Sequence, residues 1–279
     1  MNQLFNFSLL VGMFYKWYAE CRKIKGDMHM TRWNADLYDE KHQFVSNFGE
    51  SLVSILQPKN GEHILDVGCG TGDLAFEIAK AGATVTGIDA AASMIEKAAE
   101  KYPNCTFNVA DGQHFSFPSA FDAVFSNAAI HWMKNQQQVV YNCYEALRDG
   151  GRFVAELGGA KNIQAIVDAI QAASALLDIP YKAEQFPWVF PTKEEMTNML
   201  TTAGFHVVAI EHYERPTPLI GEDGIRNWLI MFSNNLLKHL TDVEKEELYT
   251  KCEEILRPQL YKDGTWIADY WRLRFIAVK

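Results

Sequence analysis

Metal-ligand patterns are missing from this sequence: it has no CxxC pair, no HExxH and no carboxylate cluster at ligand spacing. The five cysteines, Cys21, Cys69, Cys105, Cys143 and Cys252, are odd in number and scattered. That distribution argues against a disulfide framework and a structural metal, and it points to a reducing, cytoplasmic compartment. Positive charge is also scarce, with 26 Lys and Arg against 35 Asp and Glu for a formal charge of −9. A broad nucleic-acid surface needs clustered cations to displace counterions, so nucleic acid is not an expected partner. A small anion is not excluded, because it needs only one or two well-placed cations.

Apolar material is ample: 48% of the residues are hydrophobic and 13% aromatic, enough to fill a core, which excludes a disordered chain. A length of 279 residues allows one large domain, or a core with a cap. Residues 4–18, LFNFSLLVGMFYKWY, are short for a membrane span, are interrupted by Asn6, Ser8 and Lys16, and lack a signal-peptide cleavage pattern. They suit an interfacial anchor, or else an extension upstream of the true start. Lys25-Gly26-Asp27 can be encoded by a purine-rich run like a bacterial ribosome-binding site, with Met28 and Met30 just after it. We take residues 1–27 as a misassigned extension, which leaves membrane association only if they are translated.

From residue 28 to 60 a helical region is expected, with Phe44, Phe48, Leu52, Ile55 and Leu56 at helical spacing and Pro58 closing it. Apolar runs then alternate with helical patterns. The spacing predicts strands over 63–67, 84–88, 105–109, 121–127 and 151–157, with helices over 71–81, 91–101 and 135–148. Near-continuous apolar strands separated by helices make a parallel sheet covered on both faces. Beyond 159 the pattern gives a first cap insertion (160–191), then a core helix and sixth strand (192–218). A second helical insertion (219–262) and a final strand (263–279) follow. Both insertions leave the carboxyl ends of strands, where ligands of open α/β sheets bind.

The motif HILDVGCGTGD, residues 63–73, runs a strand through Gly68, Gly70 and Gly72 into a helix. A dinucleotide fingerprint needs its third glycine where Asp73 stands, and an apolar strand where Asp66 stands. Asp89, nineteen residues after Gly70, ends the next strand and is placed to accept hydrogen bonds from two ribose hydroxyls.

With VTGIDAAASMIEKA, NVADGQHFSF, FDAVFSNAAIHWM and LRDGGRFVAELGG following in order, the chain resembles the class I S-adenosylmethionine-dependent methyltransferases. SNAAIHW, GGRFVAE and RLRFIAVK resemble most the trans-aconitate methyltransferase group, and the strand-four ending also resembles the malonyl-carrier-protein methyltransferases. The resemblance implies a Rossmann-like α/β fold with a seven-stranded, mostly parallel sheet, helical cap insertions, and S-adenosyl-L-methionine as cofactor. It implies that Gly68, Cys69, Gly70 and Gly72 form the cofactor loop and that Asp66 sits near the ammonium of the amino-acid tail. Asp89 would hold the ribose, Ala90 and Met94 pack on the adenine, and Asp111 and Gly112 meet the ring's polar edge. Asn127 and Ala128 would flank the methionyl portion, and Tyr38 would close over it.

The acceptor is less determined. Both of the groups named methylate a carboxylate oxygen, which makes O-methylation of a small carboxylic acid the leading expectation. A carboxylate needs no base, whereas a phenol, amine or carbon acid does, and His131 is the nearest candidate. Trp132, Trp188, Arg215 and Trp228 are the expected substrate residues, with Lys182, Lys193 and Arg226 as further cationic candidates. A lipid or quinone methyltransferase, a noncatalytic cofactor-binding protein and an NAD-dependent oxidoreductase remain as alternatives.

Overall fold

The computed structural model describes residues 44–279, and of residues 44–48 and 50 the backbone alone. Tyr38 and the extension 1–27 lie outside the described residues. The first half alternates as expected: α1 (Phe44–Leu56), β1 (His63–Val67), α2 (Asp73–Ala79), β2 (Thr84–Asp89), α3 (Ala92–Lys101), β3 (Thr106–Val109) and β4 (Phe121–Asn127). After β4 come a 3₁₀ turn over Ile130–Trp132, then α4 (Gln136–Ala146) and β5 (Leu147–Gly158). The second half holds α5 (Gln164–Leu176), α6 (Lys193–Ala203), β6 (His206–Glu214), β7 (Thr217–Pro218), α7 (Gly224–Phe232) and α8 (Asp242–Leu260). Strands β8 (Tyr261–Lys262), β9 (Thr265–Ala268) and β10 (Trp271–Val278) end the chain.

Seven strands form one sheet in the order β3-β2-β1-β4-β5-β10-β6, with β10 antiparallel to both neighbours. This is the seven-stranded, mostly parallel Rossmann-like fold. Its strand order reverses between β1 and β4, and that switch point opens a crevice at the carboxyl ends of the strands. The apolar strands explain the layering. Leu52, Leu56, Ile78 and Phe125 fill one face of the sheet, and Leu65, Val139, Leu200 and Phe275 fill the other.

The insertions build a core of their own. Ile166, Ile170, Trp228, Leu248 and Leu256 come from both insertions and pack in one cluster with Trp266 of β9. The second helical insertion (219–262) holds two helices, because Ser233-Asn234-Asn235 favours turns and Thr241 restarts the helix with a capping box to Glu244. The tail read as one strand holds two. Asp263 and Gly264, both at positive φ, turn a two-residue hairpin between β8 and β9, and β9 then pairs β7. Among the described residues no helix is long and apolar enough to cross a membrane.

One ion cluster ties β5, β10 and β6 together. Glu156 on β5 stands opposite Arg274 on β10 and is 2% exposed. It accepts from Tyr213 Oη at 2.5 Å, from Arg274 Nε and Nη2 at 2.9 and 2.6 Å, and from Arg215 Nη1. Burial works against its ionised form, but Arg215, the Tyr213 hydroxyl and Arg274 together hold the carboxyl below the usual range. Removing one partner of such a cluster strands the others without compensation, at about 3–5 kcal/mol. Glu156→Gln should therefore lower stability in urea unfolding by roughly that amount; an unshifted midpoint would show that the cluster contributes nothing.

Candidate functional site

The turn from β1 into α2 is shaped by glycine. Gly68 has φ +77°, and a Cβ there would sit 2.1 Å from the Ala129 Cβ, so only a bare backbone can pass under the β4 exit. Gly70, at φ +54°, has nothing within 4 Å of where a Cβ would stand. Backbone N–H groups of Gly68 and Cys69 donate to Ile88 O at 2.8 and 3.0 Å, fastening the loop to β2. At the end of β2, Asp89 accepts from Gly70 N at 3.1 Å and from Ala91 N at 2.9 Å, one bond on each carboxylate oxygen. A carboxylate has about four acceptor positions, so roughly half remain for a ligand.

Asp66, on the neighbouring strand β1 in register with Gly87, is buried, and its Oδ2 has no hydrogen-bond partner. Burial, and then the neighbouring charge of Asp89, push its carboxyl up to about 8. An orphaned buried acid at this place in the fold requires an explanation, and a cationic ligand group supplies one.

A cavity runs from this loop across the sheet edge to β10. Its near end has Gly68, Gly70, Asp89, Ala90 and Met94 on the wall; Asn127, Ala128 and His131 form the middle. At the far end stand Trp132, Trp188, Phe190, Trp228 and Phe232, with Tyr270 and Arg272 beneath them. Arg272 is 4% exposed. Its Nε has no partner, and no carboxylate among the described residues pairs with its guanidinium, which lies 4.4 Å from the Tyr270 ring centroid. Burial, and then the charge of Arg215, pull its pKa down to about 10, still protonated at neutral pH.

His131 is buried beside it. Its Nδ1 accepts the Gly158 N–H at 3.2 Å, which leaves the proton of the neutral ring on Nε2. Burial, and then Arg272, hold its pKa well below the usual histidine range. This geometry argues against the expected general base: a neutral ring whose Nδ1 is occupied presents an N–H donor.

The structure brings Trp132, Trp188 and Trp228 together on the cavity wall. It does not bring Arg215 there, because Glu156 captures its guanidinium. Arg226 is likewise committed to Glu246 and Glu253, and Lys193 is exposed. Asp66, Cys69, Gly72, Asp111 and Gly112 are not on this wall. The Cys69 thiol is buried near Gly87, and Gly72 backs on Phe107 and Ala98. Asp111 accepts from Gln113 N at 2.9 Å and pairs with His114, while Gly112 lies against Met133. Arg272 is the charged wall residue that the sequence reading did not single out.

Comparison with known proteins gives a consistent picture. A family profile described as "Methyltransferase domain" matches residues 64–151. An uncharacterized methyltransferase of Schizosaccharomyces pombe is 35% identical over 263 residues, covering 88% of this chain and 98% of that protein. Trans-aconitate 2-methyltransferase of Deinococcus radiodurans is 34% identical over 122 residues, which cover 43% of this chain and 46% of that one. Among solved structures, phosphoethanolamine N-methyltransferase 2 of Haemonchus contortus in complex with S-adenosyl-L-methionine superposes with a TM-score of 0.55 at 19% identity. That match covers 88% of this chain and 56% of the other.

The orphaned acid has a pH signature. An unfolded aspartate titrates near 3.9, and Asp66 in the folded chain titrates at about 8. Between those values the folded chain holds a proton that the unfolded chain releases, so this group's contribution to stability declines as pH rises from about 4 to about 8. Asp66→Asn should flatten that part of the ligand-free protein's thermal-midpoint profile; a slope identical to the parent protein's would contradict the assignment.

Proposed function

Because the chain belongs to the class I S-adenosylmethionine-dependent methyltransferases, we propose that it methylates a carboxylate oxygen of a small acid bound at the far end of this cavity. The observation that supports the acceptor most is Arg272, a buried, protonated guanidinium without a carboxylate partner, four strands along the sheet from Asp89. At about 4.8 Å per strand the two ends of the cavity are roughly 19 Å apart.

The near end fits the cofactor. Asp89 has acceptor positions free for a ribose diol, Ala90 and Met94 offer an apolar wall for the adenine, and Gly68 and Gly70 bare the backbone to the tail. Asp66, unpartnered and buried, suits the tail's ammonium, whose charge would draw off the proton that burial retains. Asn127 and Ala128, where β4 ends, flank the passage between the two halves.

The cofactor supplies a methyl group on a sulfonium that is already a good leaving group. What the protein contributes is placement. Arg272 has the planar fork that suits a carboxylate, and the neutral His131 adds an Nε2–H donor from the same wall. A carboxylate is ionised at neutral pH, so a donor at His131 is more useful than a base. The aromatic cap excludes water and strengthens these contacts. Holding the acceptor oxygen in line can supply an effective molarity of about 10⁵ M or more.

The test separates acceptor from cofactor. Arg272→Met should leave S-adenosylmethionine affinity within about twofold and lower kcat/KM for a carboxylic acid by at least about thirtyfold, the effect of losing a 2 kcal/mol charge contact. It should also raise the ligand-free melting temperature, because an unpaired buried cation is replaced by an apolar chain. Loss of cofactor binding in this variant would show that Arg272 serves the cofactor's own carboxylate instead.

A further inference from the structure

Within the carboxylate reading above, on which this step rests, we infer that the acceptor is a monocarboxylic acid with a flat, conjugated or aromatic body. Charge decides the number of carboxylates. Among the described residues on the cavity wall, Arg272 is the cation and Asp89, at the opposite end, is the ionisable acid; His131 is neutral. Glu156 already holds Arg215 and Arg274, so neither can turn to a ligand without breaking the cluster. A second or third carboxylate would be buried against indole and phenyl rings with no cationic partner among the described residues.

Ring geometry decides the body. Trp132 meets Trp188 at 5.3 Å between centroids and Phe232 at 6.1 Å, while Trp228 meets Phe232 at 5.1 Å. Trp188 lies within 13° of parallel to Phe190. The one polar atom of the Trp228 ring is spent, since its Nε1 donates to Tyr270 Oη at 2.6 Å. The wall therefore offers ring faces and edges, which favour another flat π-system over a flexible alkyl chain.

The wall is also fixed in place. Val189, between Trp188 and Phe190, donates its N–H to His131 O at 2.8 Å and accepts from Gln136 Nε2 at 2.9 Å. The ring wall and the His131 donor thus move as one unit. An acid whose carboxylate is joined closely to its flat body satisfies both at once.

The test uses the full chain with S-adenosylmethionine, reading S-adenosylhomocysteine release with trans-cinnamate, hexanoate and trans-aconitate as acceptors. The expected kcat/KM for trans-cinnamate exceeds that for hexanoate by about tenfold, the scale of one aromatic pair. It exceeds that for trans-aconitate by about a hundredfold, the scale of a stranded buried charge. Trp132→Leu should narrow the gap between trans-cinnamate and hexanoate to less than about threefold. Trans-aconitate or hexanoate matching trans-cinnamate would overturn the inference, as would failure to methylate any of the three. Turnover of phenols or amines but no carboxylic acid would instead defeat the carboxylate reading, and loss of S-adenosylmethionine binding is scored separately by calorimetry.

Discussion

The saturation of Glu156 governs the chemistry of the cavity. Three arginines, Arg215, Arg272 and Arg274, crowd the edge where β5, β10 and β6 meet, and this one buried carboxylate accepts from two of them and from Tyr213. Nothing remains for Arg272. The far end of the cavity therefore carries an excess of positive charge, and the near end carries the carboxylate of Asp89. A crevice with opposite signs at its ends orients a cationic ligand at one end and an anionic ligand at the other before any contact is perfected. Under the carboxylate reading, the same desolvation that makes burying Arg272 costly would make it selective for an acid.

The cap gives that polarity its strength. Both insertions share a core, in which Ile166 and Trp188 from the first pack with Trp228 and Leu248 from the second. The aromatic wall above the site is thereby part of a packed cluster, and Val189 stitches it to the carboxyl end of β4 through His131. A lid held in this way keeps water from the acceptor and places hydrogen-bond donors in a low-dielectric setting, where they count for more than at a surface.

Much of this was legible from residue order. The apolar runs around 63–67 and 121–127 mark strands because buried parallel strands have no polar face, and the broken glycine spacing at Asp73 separates this loop from a phosphate cradle. The place of Asp89 at the end of β2 follows from position alone. Arg272 does not. In RLRFIAVK, Arg272 and Arg274 fall on the same face of a strand, and which of them gains a carboxylate depends on the register of β10 against β5, 118 residues apart for the Arg274–Glu156 contact. Glu156 also holds Arg215 away from the cavity through its other carboxylate oxygen. The His131 tautomer is set by Gly158 on a neighbouring strand, so the residue type suggested a base where the fold makes a donor. The β8–β9 hairpin had a signal, Asp263-Gly264, but its strands are too short for periodicity to reveal them.

A methyl group transferred to a carboxylate oxygen forms an ester, and the chemical stability of the product bond reveals it. With methyl-labelled S-adenosylmethionine and a panel of carboxylic acids, phenols and amines, the label should enter the acids. Mild alkali should then release it as methanol, because a methyl ester hydrolyses under those conditions. Label that resists alkali, as a methyl ether or an N-methyl group does, would contradict the account.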